Sequence, residues 1–174
     1  MELQEAIELI QYDRLPQSNP ATWADLGCGS GLFTFALAAR LTHPGTIYAV
    51  DQQPVRLLPL PVSDSVTIET RQCNFVTDEL GLTGLDGILM ANSLHFVADK
   101  PALIRKLERY LNPKGGFLLV EYDTDKANSW VPFPTSYRSL KKLFETVGYT
   151  SVTWLNERPS RYGRANLYAA FVQK

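Results

Sequence analysis

A doubly wound α/β fold with a mostly parallel sheet is predicted for this 174-residue chain. Three observations predict it. Apolar strand-like segments alternate with helical patterns through most of the sequence, which argues for a parallel sheet with helices on both faces. The run Asp25-Leu26-Gly27-Cys28-Gly29-Ser30-Gly31 follows the first apolar segment. A strand reads this way when it ends in a tight turn whose bare backbone a ligand can approach. The last two apolar segments are joined by a turn, so the sheet finishes in an antiparallel hairpin.

Each element has its own signal. Residues 2–11 place Leu3, Ala6, Ile7 and Ile10 on one face with glutamates opposite, an amphipathic helix. Pro16, Ser18, Asn19 and Pro20 mark a loop. Residues 22–26 form a short strand, and Gly31 to Leu41 reads as a buried helix stopped by His43-Pro44-Gly45. Ile47 to Val50 is a buried strand ending at Asp51. Pro54, Pro59 and Pro61 limit any helix over 52–61 to a short one. Strands are expected at Val66–Thr70 and Asp86–Met90. Asp99 caps a helix running to Leu111, with Pro101 tolerated in its first turn. Asn112-Pro113-Lys114-Gly115-Gly116 ends that helix, and Phe117 to Val120 is the next strand. Residues 123–135 read as a long loop, and Tyr137 to Val147 as a helix closed by Gly148. Val152–Glu157 and Asn166–Val172 form the hairpin, whose turn holds Pro159 and Gly163.

Length predicts one domain over 1–174, an N-terminal helix and loop over 1–20 ahead of a core over 21–174. Hydrophobic residues make up 45% and charged residues 20%, an ordinary soluble composition. A formal net charge of −1 provides no field for polyanions, which argues against a nucleic-acid partner. The two cysteines, Cys28 and Cys73, have no metal-ligand spacing and cannot make a disulfide scaffold. No metal is expected. The first residues lack the basic start and apolar run of a signal peptide. No stretch approaches the roughly 18 apolar residues of a membrane span. A cytoplasmic protein without a membrane partner is expected.

Ligands in such sheets bind beyond the carboxyl ends of the strands. The glycine turn, Asp51, Asn92 and Glu121 all fall there, so they share one rim. Asp51 follows its strand 20 residues after Gly31. A carboxylate at that place accepts hydrogen bonds from both ribose hydroxyls of a nucleotide cofactor. The alternative is a cap for a helix after it. A dinucleotide turn, Gly-x-Gly-x-x-Gly, fits poorly: counted from Gly27, Leu32 stands where the third glycine belongs. An acid before the first glycine, Asp25, suits a cofactor with a positive charge or an amino group better than a pyrophosphate.

This pattern resembles the class I S-adenosylmethionine-dependent methyltransferases, over nearly the whole chain. Asp25 to Gly31 matches the family's first motif and Asp51 the acid of its second. Cys73-Asn74-Phe75 is similar to the third, with Asn74 where Asp is common. Leu85 to Phe96 resembles the fourth strand and its exit. Leu111 to Phe117 resembles the turn before strand five, with Lys114 in place of a glycine. The resemblance implies a Rossmann-like, seven-stranded sheet of order 3-2-1-4-5-7-6 with strand seven antiparallel. It implies S-adenosyl-L-methionine as cofactor. Asp25 and Gly27 would sit near its methionine part, Asp51 would hold its ribose, Asn74 and Phe75 would flank its adenine, and Asn92 would lie near its sulfonium; Cys28, Gly29, Gly31 and Gln52 are further candidates for cofactor contact. Plainer readings stand beside these: Asp25 fixing the turn through backbone amides, Phe75 in the core, Gln52 in solvent.

On the acceptor side, His95 is the candidate general base, just after strand four. Its alternative is packing against Phe96 or capping a turn. Glu121 and Tyr122 end strand five, and Trp130, Tyr137 and Arg138 belong to an aromatic loop and helix start with a cation. These five are candidates for lining an acceptor pocket; equally, Glu121 and Tyr122 stand at the rim without a ligand and the aromatic loop packs on the core. Arg158, Arg161 and Arg164 read as a solvated hairpin tip. The Asn/Asp-Pro-Pro-aromatic run of amine methylating enzymes is absent after strand four. A small-molecule acceptor is therefore expected, with its site built from the N-terminal helix and the 123–137 loop. Two other readings share the glycine turn: a non-catalytic methyltransferase-like partner subunit, and a nicotinamide-dependent oxidoreductase.

Overall fold

The computed structural model describes residues 1–61, 63–160 and 165–174. Its strands are β1 (Ala21–Leu26), β2 (Gly45–Asp51), β3 (Val66–Gln72), β4 (Leu85–Ala91), β5 (Leu111–Tyr122), β6 (Ser151–Arg158) and β7 (Leu167–Gln173). Its helices are α1 (Leu3–Leu9), α2 (Leu32–Ala38), α3 (Lys100–Leu107) and α4 (Tyr137–Thr146). The strands form one seven-stranded sheet in the order β3-β2-β1-β4-β5-β7-β6. The pairings among β1 to β5 are parallel, and β7 runs antiparallel to both β5 and β6. The expected sheet is therefore the observed one. Strand order reverses between β1 and β4, the switch point where such sheets open a crevice.

The central strands are apolar on both faces because helices cover both. Ile88, Met90, Phe117 and Leu119 pack with Leu103 and Leu107 of α3 and Leu140 and Phe144 of α4. Their sequence neighbours Leu89, Leu118 and Val120 point the other way, into a second core with Ala6 and Leu9 of α1 and Phe33 and Leu37 of α2. This period-two alternation lets one strand serve two cores. The helix starts are specified locally. Glu2 and Glu5 close a capping box on α1. The Asp99 side chain accepts from Ala102 N, and the Ser136 hydroxyl accepts from Ser139 N.

Over 52–61 no helix forms, in keeping with the limit the prolines set, and Leu58 N donates to Ser30 O across the glycine turn. Two local expectations are corrected. The helix after Asp99 stops at Leu107, and residues 108–110 tighten into a 3-10 turn. Asn112 to Gly116 belongs to β5 rather than to a separate turn. The register jumps from Leu85 opposite Leu111 to Gly87 opposite Gly116, so the extra residues bulge within the strand. Asn112 Nδ2 donates to Asp86 Oδ1 at 2.7 Å and holds the bulge. The buried Asp86 carboxylate also receives Ser18 N, Ser18 Oγ and Thr22 N, which fastens the N-terminal loop beneath β4. In the hairpin, Arg161, Gly163 and Arg164 lie outside the described residues. Among the described residues no helix is long and apolar enough to cross a membrane.

Candidate functional site

The glycine turn is held by β2. Gly27 N and Cys28 N both donate to Val50 O, at 2.8 and 3.0 Å. Gly27, Gly29 and Gly31 all have left-handed backbone, with φ of 79°, 53° and 85°. Glycine adopts that conformation at little cost, whereas other residues strain there. A Cβ on Gly27 would stand 2.5 Å from Ser93 Cβ, whereas one on Gly29 would meet nothing within 4 Å. Gly27 is thus pressed against the β4 exit, and Gly29 faces open space.

Asp51 joins the turn to the end of β2. Its Oδ2 accepts from Gly29 N at 3.0 Å and its Oδ1 from Gln53 N at 2.9 Å. No helix follows it, so it caps none. Each carboxylate oxygen keeps lone-pair capacity toward the cleft.

That cleft has a volume of about 410 Å³ and opens at the carboxyl ends of β1, β2, β3 and β4. Gly27, Asp51, Gln52, Asn74, Phe75 and Asn92 line it together. Asp25, Cys28, Gly29 and Gly31 do not appear on its wall. The Asn74 backbone donates to Asp78 Oδ2, and Asn74 Oδ1 accepts from Val76 N, a local turn that occupies one acceptor site of the amide. Lys106 of α3 donates to the carbonyls of Phe75, Val76 and Asp78 and clamps this turn. Val76, Thr77, Ser93, Phe96 and Val97 also line the cleft. Sequence reasoning did not single them out as cofactor contacts. Ser93 Oγ donates to Leu26 O at 2.6 Å, which ties the exits of β1 and β4 together.

Asn92 is unusual in two ways. Its φ is 54°, the left-handed region that a non-glycine residue rarely occupies. Its buried Oδ1 has no hydrogen-bond partner. Strain and an unsatisfied polar atom persist together where a site requires them. Asn92 also lines a second, smaller hollow, with Tyr122 on its wall.

Asp25 is buried behind the turn. Its Oδ2 accepts from Thr34 Oγ1 of α2 at 2.6 Å, while Oδ1 has no partner. A side-chain hydroxyl, not the turn amides, is its partner. Burial pushes its carboxyl up to about 7, the Thr34 bond opposes that, and the Asp51 charge adds to it. A folded-state value above the unfolded one means that the folded chain binds the extra proton. Stability from this group is therefore full below about pH 4 and is lost as pH rises to about 7. Replacing Asp25 by Asn removes this titration while keeping an acceptor for Thr34. Chemical denaturation of ligand-free protein should show Asp25→Asn close to wild type at pH 4.5. It should be more stable at pH 8, by on the order of 4 kcal/mol. A difference that shrinks with pH would overturn the reading. Burial likewise holds the Cys28 thiol up at about 12, aided by Asp25 and Asp51, so it stays a protonated, unreactive thiol.

His95 and Glu121 form a closed unit. Glu121 is fully buried; its Oε2 receives His95 Nδ1 at 2.6 Å and its Oε1 receives the His95 backbone N at 3.1 Å. The imidazole packs on Phe96 with centroids 4.4 Å apart. Neither residue lines the cleft or the hollow. Lys100, also buried, donates to Val97 O and Phe133 O and fastens the 123–135 loop over this unit. Burial pulls its ammonium below the usual lysine range, and Glu121 opposes that.

Of the remaining acceptor-side candidates, Tyr122 borders the smaller hollow. Trp130 is 83% exposed in the loop. Tyr137 packs between Trp154 and Tyr168, and its hydroxyl donates to Val152 O. Arg138 lies exposed on α4. The hollow draws its wall from the N-terminus, α2 and the β5, β6 and β7 ends, not from the 123–137 loop.

Order reversal at β1/β4, a glycine turn there and an acid at the β2 end define an α/β protein of the nucleotide-cofactor type. The chain belongs to the class I S-adenosylmethionine-dependent methyltransferases: the model of a methyltransferase-domain family matches residues 24–118. No curated protein sequence matches the chain. Among solved structures, similar folds include CrArsM, an arsenic (III) S-adenosylmethionine methyltransferase from Chlamydomonas reinhardtii. It is 18% identical with a TM-score of 0.64, over 89% of this chain and 63% of that one. The 1,6-didemethyltoxoflavin-N1-methyltransferase of Burkholderia thailandensis is 18% identical with a TM-score of 0.69, over 97% of this chain and 78% of that one. The plantazolicin methyltransferase BpumL is 11% identical with a TM-score of 0.66, over 99% and 83%. The chain thus spans less than two thirds of the algal protein's length.

Proposed function

We propose that this protein transfers a methyl group from S-adenosylmethionine to a small-molecule acceptor. The observation that carries it is the cleft at the switch point, walled by Gly27, Asp51, Asn74, Phe75 and Asn92. Its volume of about 410 Å³ lies in the usual range of small-molecule sites. The left-handed backbone of Gly27 and Asn92 on its wall fits a ligand laid along the turn. The Burkholderia relative was crystallised with S-adenosylhomocysteine, which supports the same cofactor here.

In this reading Asp51 takes the ribose hydroxyls, Asn74 and Phe75 flank the adenine, and Gly27 lets the methionine part approach bare backbone. Asn92 borders the reacting end. When bound, the cofactor would supply an electrophilic methyl group, held by Asp51, Asn74, Phe75 and Gly27 with Asn92 beside its reacting end. The chain's contribution is positioning, which is worth effective molarities of about 10⁵–10⁸ M when reacting atoms are well aligned. The His95–Glu121 unit holds the β4 exit against β5 and so fixes the backbone that carries Asn92. The named acceptors of the similar structures differ.

Thermal unfolding with added ligand tests the reading. At 100 times its Kd, a native-state ligand adds about 2.7 kcal/mol. For a chain of this size that is roughly 5–10 °C in Tm. S-adenosylhomocysteine should give that shift and NADH none. A shift with NADH alone, or with neither, overturns it.

A further inference from the structure

We propose that Lys106, an α3 residue on the wall of neither hollow, is the positioning residue that lets the cleft tell adenine from a 6-oxopurine. The proposal rests on the cofactor reading, with Asn74 and Phe75 at the base.

The loop after β3 is bonded in two directions. Most of its amides turn inward. Thr77 N and Asp78 N donate to Asn74 O at 3.1 and 2.8 Å, Val76 N to Asn74 Oδ1 at 3.0 Å, and Asn74 N to Asp78 Oδ2 at 3.0 Å. Among the described residues, Phe75 N is the one amide of 74–78 without an acceptor. It shares a peptide with Asn74 O, and in a planar trans peptide N–H and C=O point opposite ways. Asn74 O faces into the loop, so Phe75 N–H points out of it, on a residue that walls the cleft.

The carbonyls of the loop turn to α3. Lys106 Nζ donates to Phe75 O at 3.2 Å, to Val76 O at 3.1 Å and to Asp78 O. An ammonium has three donors, and here all three serve one loop. Among the described residues no backbone amide donates to these carbonyls. Leu103 and Leu107 seat α3 in the core, so Lys106 acts from a fixed base. The peptides before and after Phe75 are thus held before a ligand arrives, one by Asn74 O and the other by Lys106. A donor held still at Phe75 suits adenine N1, a bare acceptor. It opposes the N1 of a 6-oxopurine, which carries a hydrogen. A donor free to swing toward water discriminates less, because the mismatch is relieved by solvent.

Calorimetric titrations with S-adenosylhomocysteine and S-inosylhomocysteine, its 6-oxopurine counterpart, test this. Wild type should prefer the adenosine compound at least tenfold, since a mismatched pair leaves a donor unpaired besides losing a bond. In Lys106→Met the preference should fall to about threefold or less. Lys106→Arg keeps the charge without three converging donors and should fall between. Arg109→Gln, which loses an exposed pair with Glu79, should keep the wild-type preference. If Lys106→Met does not fold or binds neither compound, Lys106→Arg alone decides, by a preference below that of wild type. A wild type without preference, a preference unchanged in the Lys106 variants, or one lost equally in Arg109→Gln overturns the proposal and leaves the cofactor reading standing. If folded wild type binds neither compound, the cofactor reading fails and the proposal falls with it.

Discussion

Asp51→Ala should weaken S-adenosylhomocysteine binding at least tenfold. The carboxylate stands at the end of β2 on the cleft wall, with both oxygens already oriented by backbone amides of Gly29 and Gln53. That orientation is set before the ligand arrives. Hydrogen bonds from ribose hydroxyls to a charged acceptor contribute about 1.5–3 kcal/mol each. Losing one such bond already costs tenfold or more, since about 1.4 kcal/mol is a factor of ten. The substitution also frees the Gly29 amide, so the turn loses its tie to β2 on that side. Asp51→Asn should recover part of the loss, because its carbonyl still accepts one bond. Calorimetric titration of the three proteins measures this directly. Equal affinities would remove Asp51 from the ribose.

Gly27→Ala should cost more than Gly29→Ala, although both change one hydrogen to a methyl group. Both positions have left-handed backbone, and a non-glycine residue pays for that alike at each. They differ in space. At Gly27 the new methyl meets Ser93 Cβ at 2.5 Å, backed by the Ser93 hydroxyl at 3.2 Å. Ser93 cannot easily yield, because its Oγ is bonded to Leu26 O in the interior. The β1 and β4 exits must separate, which spoils the cleft between them. At Gly29 the methyl meets nothing. Chemical denaturation should give a loss of about 1–2 kcal/mol for Gly29→Ala from backbone alone. Gly27→Ala should lose a further 1–3 kcal/mol or so from overpacking and bind S-adenosylhomocysteine at least tenfold more weakly. Equal losses would mean that the Ser93 contact relaxes freely.

The sheet was readable because its signals are local and repeated. Apolar runs such as Phe117–Val120 name a strand by themselves, and the hairpin follows from the absence of a helix between the last two. The β5 start was not readable, because Asn112-Pro113-Lys114-Gly115-Gly116 has turn composition. It joins the strand only through the bulge that Asp86 holds from 26 residues away. At the site, residues placed at strand ends were legible: Gly27, Asp51, Asn74, Phe75 and Asn92 share one cleft since the carboxyl ends of parallel strands share one edge. Side-chain direction was not. Asp25 turns to Thr34, and Glu121 spends both oxygens on His95, contacts made across 9 and 26 residues. Trp130 and Tyr137 look alike as aromatics near a loop, yet one stands in solvent and the other packs on Tyr168. Pairings of this kind depend on which elements meet, and no local pattern encodes them.

A cleft beside the glycine turn that holds a sulfonium nucleoside cofactor must bind its demethylated form as well. Calorimetric titration of the purified protein with S-adenosylhomocysteine tests it most directly. One site per chain is expected, with micromolar or tighter affinity, reduced at least tenfold by Asp51→Ala. An absence of binding by the folded wild-type protein would contradict it.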